Sequence, residues 1–118
     1  MDFIDFLDSR PIYIQIAERY KTLILKGVLE PDEQLPSVRQ MAIELSTNPN
    51  TVQRAYMELE KEGFIYTVKG RGNFVRDNKE VKDMKRKELV EKIKEVLREA
   101  EEVGIDPEDV LSEAAGKQ

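Results

Sequence analysis

Two short helices joined by a tight turn are predicted by residues 37–63, SVRQMAIELSTNPNTVQRAYMELEKEG. Ser37 and, three residues later, Gln40 form the pattern of a capping box, which marks the start of a helix. Asn48 and Pro49 mark a second start, because Asn caps a helix and Pro suits its first position. The turn between the two helices is therefore only a few residues long.

Apolar residues recur in both helices at positions i, i+3, i+4 and i+7, which is typical of a helix with one buried face. These residues are Val38, Met41, Ala42 and Leu45 in the first helix and Val52, Ala55, Tyr56 and Leu59 in the second. Gly63 predicts the end of the second helix, which we place at residues 48–62.

Another helix is predicted before this pair, with Pro11 in its first turn and Gly27 at its end. Its apolar stripe consists of Ile12, Ile16, Tyr20 and Ile24. Residues 28–34 are predicted to be a connection that contains a turn. The apolar residues of the N-terminal lead-in are expected to pack on the body of the protein. They are Phe3, Ile4, Phe6 and Leu7.

A β-hairpin is predicted after Gly63, because residues 64–68 are aromatic or β-branched and residues 73–75 resemble a returning strand. The turn between them is Lys69-Gly70-Arg71-Gly72, and residues 64–76 contain no Asp or Glu. The hairpin therefore has a cationic tip.

The order of these elements predicts a mainly α fold with a small β-hairpin, a winged helix-turn-helix over residues 1–76. Residues 77–118 are predicted to be a tail of two helices, the first from about residue 81 and the second from Asp106-Pro107. The apolar seam of the tail consists of Leu89, Ile93, Val96, Leu97, Ala100 and Val103, with Val110 and Leu111 on the second helix.

The composition argues against several classes of function. The 118 residues include no Cys and no His, so thiol nucleophiles, thiolate metal sites and the commonest general base are missing. No run of 18 apolar residues predicts a membrane span, and the N-terminus is acidic where a signal peptide is basic. We therefore expect a cytoplasmic protein that is not an enzyme and has no metal, no cofactor and no membrane partner.

The predicted fold favours DNA binding. A helix such as 48–62 fits the major groove, and its polar side chains can bond to base edges or phosphates. The glycine-rich tip allows a close approach of the backbone, while its cations suit the minor groove. The candidate DNA-binding residues are Ser37, Arg39, Asn48, Asn50, Thr51, Gln53, Arg54, Lys69, Gly70 and Arg71.

The net charge of −5 leaves a second hypothesis for the function open. An acidic winged helix can serve as a protein-interaction module without specific DNA binding. Such a module would tolerate the loss of its arginines, and its binding would lack a steep dependence on salt.

These motifs closely resemble the GntR superfamily of bacterial repressors over about residues 10–76. The resemblance rests on Leu35-Pro36-Ser37-Val38-Arg39-Gln40, Asn48-Pro49-Asn50-Thr51-Val52, Arg54-Ala55-Tyr56, Leu59-Glu60-Lys61-Glu62-Gly63 and Lys69-Gly70-Arg71-Gly72-Asn73-Phe74-Val75. The short helical tail is similar to that of the YtrA-like branch, in which the tail forms a dimer.

The resemblance implies a repressor in which Arg39 contacts DNA, Asn50 and Thr51 open the recognition helix, and Gly70 enters the minor groove. Two departures from the family pattern stand out. Asp32 replaces a usual Gly, and Ser46-Thr47 replaces a common Gly-Val in the turn between the paired helices.

The tail cannot bury its apolar seam by itself, so the seam folds onto the same chain or pairs with a second copy. Recognition of a pseudo-palindromic operator favours a homodimer with a two-fold axis. The expected partners are therefore double-stranded operator DNA and a second copy of the chain. A small-molecule effector is a further partner that the sequence leaves open, since no residues identify a ligand.

Overall fold

A computed structural model describes residues 4–116, apart from the side chain of residue 78. Within this range the fold is mainly helical with one antiparallel hairpin, which confirms the predicted class. The helices are α1 (Ile12–Leu25), α2 (Val38–Glu44), α3 (Pro49–Lys61), α4 (Asn78–Glu102) and α5 (Pro107–Ala114), and the strands are β1 (Ile65–Val68) and β2 (Gly72–Val75). The chain forms two compact units, Met1–Lys82 and Asp83–Gln118.

The predicted helix starts of the α2–α3 pair are confirmed. The Ser37 hydroxyl accepts a hydrogen bond from the Gln40 amide at 3.1 Å, and the Gln40 side chain accepts one from the Ser37 amide at 3.1 Å. At the start of α3, Asn48 Oδ1 accepts a hydrogen bond from the Asn50 amide at 2.8 Å. These bonds satisfy backbone N–H groups that have no partner inside a helix.

The core of the first unit lies between α1, α2 and α3, and the predicted apolar stripes face it. Two buried tyrosines meet there edge to face, Tyr20 from α1 and Tyr56 from α3. The Tyr56 hydroxyl donates a hydrogen bond to the Pro36 carbonyl at 2.7 Å. This bond ties the middle of α3 to the residue just before the N-cap of α2. Val81, in the first turns of α4, is also buried in this core.

The hairpin pairs in one register, with Ile65 opposite Val75 and Val68 opposite Gly72. The last residues of the predicted connection, 32–34, run with Leu35 along the free edge of β2. The Asp32 amide donates to the Val75 carbonyl at 2.7 Å, and the Leu35 amide donates to the Asn73 carbonyl at 2.9 Å. The hairpin is therefore supported on one side by the segment that leads into α2.

The prediction for the N-terminal lead-in was wrong at two residues. Phe6 and Leu7 are 81% and 97% exposed, and Phe3 lies outside the described residues. A buried polar side chain anchors the lead-in instead. Gln15 accepts a hydrogen bond from the Asp5 amide at 2.7 Å and donates one to the Arg10 carbonyl at 2.9 Å.

Two predicted helix starts also differ slightly from the structure. Pro11 is the residue before the first turn of α1, where it acts as the N-cap residue, and α4 begins at Asn78 instead of about residue 81.

The second unit contains most of α4 and all of α5. The two helices are joined by a turn in which the Ile105 amide donates to the Ala100 carbonyl at 2.8 Å. Asp106 caps α5 by accepting a hydrogen bond from the Glu108 amide at 3.0 Å, as its position before Pro107 predicted. In the described part of the chain, no helix is both long and apolar enough to cross a membrane.

Candidate nucleic-acid interface

The outward face of α3 is polar and exposed. Its buried residues are Val52, Ala55, Tyr56 and Leu59, so positions 50, 53 and 54 lie on the other side of the helix, next to the exposed Met57. The side chains of Asn50, Gln53 and Arg54 are exposed there, while Thr51 is half-buried on the flank. Amides and a guanidinium are the groups that pair with base edges and phosphates.

Ser37 and Asn48 are also exposed, but each already caps a helix. Asn48 Oδ1 is occupied by the Asn50 amide, so the amide group of Asn48 is left to donate to a ligand. The same reasoning applies to the Ser37 hydroxyl, which accepts from Gln40 and keeps its proton for donation. Both side chains are therefore suited to phosphate oxygens.

Arg39 lies in the first turn of α2 and is exposed. Among residues 4–77 and 79–116, no carboxylate lies within 4.0 Å of its guanidinium nitrogens, nor of the charged nitrogens of Lys69 and Arg71. The lysines and arginines of α4 that form ion pairs do so with acids three or four residues away. Arg39, Lys69 and Arg71 are in contrast available to an anionic partner.

Arg54 has a neighbour that the sequence did not indicate. Its guanidinium carbon lies 4.0 Å from the centre of the Tyr13 ring on α1. Stacking of this kind restricts the guanidinium and leaves its N–H groups free at the edge of the plane. No local pattern predicts the pair, because the two residues come from different helices.

The tip of the hairpin is a tight turn closed by a hydrogen bond from the Arg71 amide to the Val68 carbonyl at 2.9 Å. Gly70 occupies its third position with φ of 79°, and no atom outside its chain neighbours lies within 4 Å of where a Cβ would stand. Glycine is therefore required at 70 by its backbone angle. The open space above it is also what a close approach to DNA needs.

Gln34 was missed as a functional candidate. Its side-chain amide donates a hydrogen bond to the Arg71 carbonyl at 2.8 Å. A Cβ at Gly72 would lie 2.7 Å from the same nitrogen, so the side chain packs directly on the backbone of the hairpin. Sequence reasoning had no signal for this contact, since Gln34 stood in a segment predicted as a loop.

One acid lies at the base of the hairpin although the hairpin contains none. The Tyr66 hydroxyl donates a hydrogen bond of 2.6 Å to the Asp32 carboxylate, and this bond raises the pKa of Tyr66. The Arg76 guanidinium carbon lies 6.0 Å from the centre of the Tyr66 ring. The acid is thus engaged at the base, whereas the tip residues Lys69 and Arg71 are exposed.

The predicted dimer residues divide into two groups by exposure. Leu89, Ile93, Val96 and Leu111 are exposed, whereas Leu97 and Val110 are half-buried and Ala100 is buried. Val103, the last residue of the seam, is 67% exposed. The second unit therefore leaves a row of large apolar side chains open to a partner.

A protein-family model for bacterial regulatory proteins of the gntR family matches residues 12–75. This chain belongs to the GntR family. The match spans α1 to β2 and includes every candidate DNA-binding residue. In agreement with this, α1, α2, α3 and the hairpin make up a winged helix-turn-helix, the DNA-binding domain of a transcriptional regulator.

Similarity within the GntR family extends into the tail. The HTH-type transcriptional repressor YtrA of Bacillus subtilis is 41% identical over 107 residues, which are 89% of this chain and 82% of that protein. A crystal structure of a transcriptional regulator from Oenococcus oeni has a TM-score of 0.76 and 32% identity, and covers 98% of each chain. The resemblance to the YtrA-like branch is therefore confirmed.

The similar structures include complexes with operator DNA. The crystal structure of AraR(DBD) in complex with operator ORR3 has a TM-score of 0.51 and 28% identity, and covers 53% of this chain and 76% of that one. The relatives are described as regulators of transcription and not as enzymes. Among the described residues there is no group of three or more acids placed to hold a metal ion.

Proposed function

We propose that this GntR-family protein is a transcriptional repressor that binds a pseudo-palindromic operator as a homodimer in the cytoplasm. The observation that carries the proposal is that Arg39, Lys69 and Arg71, each exposed and without a carboxylate partner, lie on the unit that presents the polar face of α3. A regulator of net charge −5 needs such local positive charge to approach DNA.

The roles of the residues follow from their chemistry. The N-terminal half of α3 lies in the major groove, where Asn50 and Gln53 bond to base edges. Arg39 contacts a phosphate or a guanine, while Asn48 and Ser37 donate to phosphate oxygens beside the helix starts. At the tip of the hairpin, Gly70 lets the backbone approach the minor groove and Lys69 and Arg71 contact its phosphates.

A second copy of the chain supplies the other half-site. One winged helix contacts too few base pairs to specify one operator. A second copy, related by a two-fold axis, contacts another half-site about 10 base pairs further along the duplex. The exposed row of Leu89, Ile93 and Val96 on α4 offers the apolar surface that such a dimer buries. YtrA, whose name describes a repressor, matches this part of the chain as well.

The first test is selection of bound duplexes from a random DNA pool, followed by affinity against salt on the selected sequence. A palindromic sequence whose affinity falls steeply with salt supports the proposal, because each phosphate contact adds about −0.9 to the log–log slope. If no DNA sequence is enriched above the others in the pool, the proposal is contradicted. That result would favour the protein-interaction module, for which the acidic net charge is the supporting observation.

Two variants test the proposed contacts on the selected operator. Arg39→Ala should weaken binding. A contact to a phosphate makes its salt slope shallower by about 0.9, whereas a contact to a guanine leaves the slope unchanged and relaxes specificity at one base. Arg98→Ala on α4 is the matched control and should leave affinity and slope unchanged. Asn48→Asp keeps a capping acceptor and hence the stability of the protein, but it places a carboxylate where a phosphate is expected. Unchanged affinity in Arg39→Ala and Asn48→Asp would contradict this placement of the DNA.

A further inference from the structure

Gln34 reaches the tip of the hairpin from outside it. Its backbone lies opposite Phe74, along the free edge of β2, and its side-chain amide donates to the Arg71 carbonyl at 2.8 Å. The same nitrogen packs against Gly72, where a Cβ would lie 2.7 Å away. Any side chain at 72 would therefore displace Gln34 from the tip.

These contacts fix both peptide groups that flank Arg71. The amide of Arg71 is held by the Val68 carbonyl at 2.9 Å, and the carbonyl of Arg71 is held by Gln34 at 2.8 Å. Two anchored peptide planes define the backbone angles of the residue between them, and with those angles the direction of its Cα–Cβ bond. The guanidinium therefore starts from a fixed point on an otherwise exposed turn.

We propose that Gln34 is a positioning residue for DNA recognition, which sets the tip of the hairpin so that Arg71 meets the minor groove. The inference rests on the proposed function, since it assigns a role within the contact to operator DNA. Without Gln34, the 71–72 peptide group can rotate, and Arg71 must be ordered at the moment of binding. Ordering a long side chain and its backbone on binding costs free energy, so that Arg71 makes its phosphate contact in only a fraction of the complexes.

The experiment compares four full-length proteins on the operator selected from the random pool: wild type, Gln34→Met, Arg71→Gln and the double variant. Gln34→Met keeps the length of the side chain and removes its amide group, and with it the donor to the Arg71 carbonyl. We expect Gln34→Met to bind about 5- to 10-fold more weakly, the equivalent of one lost hydrogen bond. Its salt slope should become shallower by up to about 0.9, as one phosphate contact is lost. In the Arg71→Gln background, the same substitution should have no further effect.

A matched control distinguishes positioning from general weakening of the hairpin. Thr67→Val removes another hydrogen bond of the hairpin, from the Thr67 hydroxyl to Asn73 Oδ1 at 2.8 Å, without touching the tip. It should leave the salt slope unchanged. Urea unfolding of each variant, followed by circular dichroism, reports any loss of stability separately.

The outcomes separate this inference from the function on which it rests. If the wild type selects no operator, the proposed function fails and the role of Gln34 fails with it. If the wild type binds its operator and Gln34→Met binds equally well, only the inference is overturned. Additive losses in the double variant, or a loss of slope in Thr67→Val equal to that in Gln34→Met, would also overturn it.

Discussion

At the scale of the residue, Asp32 and Ser46 adopt a backbone conformation that favours glycine. Their φ values are 66° and 50°, and among the described residues they are the only non-glycine residues with positive φ. They are also the two positions at which the sequence departs from a glycine that the family pattern has. Asp32 is compensated by its hydrogen bond with Tyr66 at 2.6 Å, whereas Ser46 makes only backbone bonds.

Ser46 closes α2 in a Schellman motif. Its amide donates to the Ile43 carbonyl at 3.2 Å, and the Thr47 amide donates to the Ala42 carbonyl at 2.9 Å. Ser46→Gly should therefore raise the free energy of unfolding by about 0.5–1 kcal/mol, because glycine adopts positive φ without steric cost. Urea unfolding measures the change. Ser46→Ala, which retains a Cβ, should show no gain, and an equal gain in both variants would contradict the explanation.

Residue by residue, the sequence predicted what depends on near neighbours. Ser37 with Gln40, and Asn48 with Pro49, form their bonds within three residues and were predicted correctly. The stack of Arg54 on Tyr13 and the bond from Gln34 to Arg71 were not predicted, because each joins residues that only the folded chain brings together. Phe6 and Leu7 were predicted to be buried from their apolarity alone, which is a weak argument for two residues in a turn.

At the scale of the element, buried tyrosines hold α1, α2 and α3 together. The Tyr56 hydroxyl donates to the Pro36 carbonyl at 2.7 Å and lies 3.5 Å from the Tyr20 hydroxyl. Burial raises the pKa of Tyr20 and of Tyr56, because a phenolate would lose its hydration there.

These raised pKa values predict a loss of stability at high pH. The unfolded chain releases the tyrosine protons near the ordinary pKa of about 10, while the folded protein retains them. The contribution is thus complete below pH 10 and is lost as the pH rises above it. Tyr56→Phe should lower the free energy of unfolding by about 1 kcal/mol at pH 7 and should flatten its decrease above pH 10. Urea unfolding between pH 7 and 11 tests this, and an unaltered pH profile would contradict it.

Elements with a regular repeat of apolar residues were predicted, and a paired segment without such a repeat was missed. The helices of the first unit repeat apolar residues every three or four positions, so their existence and buried faces followed from the sequence. Residues 32–35 pair with β2 through backbone groups alone. Such pairing leaves no periodic pattern in a segment this short, so it was predicted only as part of a connection.

At the scale of the whole molecule, the exposed apolar row of α4 is the surface that the proposed dimer would bury. Ile93 is 49% exposed in the middle of this row, and a charge there would be buried in a dimer interface. Ile93→Asp should convert dimers to monomers and weaken operator binding, since each half-site would then bind alone. Light scattering measures the mass. Arg98→Asp, on the opposite side of α4, changes the charge more and should leave the mass unchanged. Dimers in Ile93→Asp would place the interface elsewhere.

The winged helix-turn-helix and the helical tail were predicted from different features of the sequence. The winged helix-turn-helix was predicted because its helix caps, stripes and glycine-rich turn occur in a fixed order. The tail was predicted as two helices from the seam and from Asp106-Pro107, and both helices are present. Its pairing with a second copy remains a prediction, because it depends on contacts between two chains.

The pairing of residues 32–35 with β2 also bears on the order of folding. The two partners stand on either side of α2, α3 and β1 in the chain, so their contact closes a long loop. Contacts between residues distant in the chain form more slowly than local ones, so we expect the helices to form before this pairing. The hairpin, and with it the proposed contact with the minor groove, is then completed after α3.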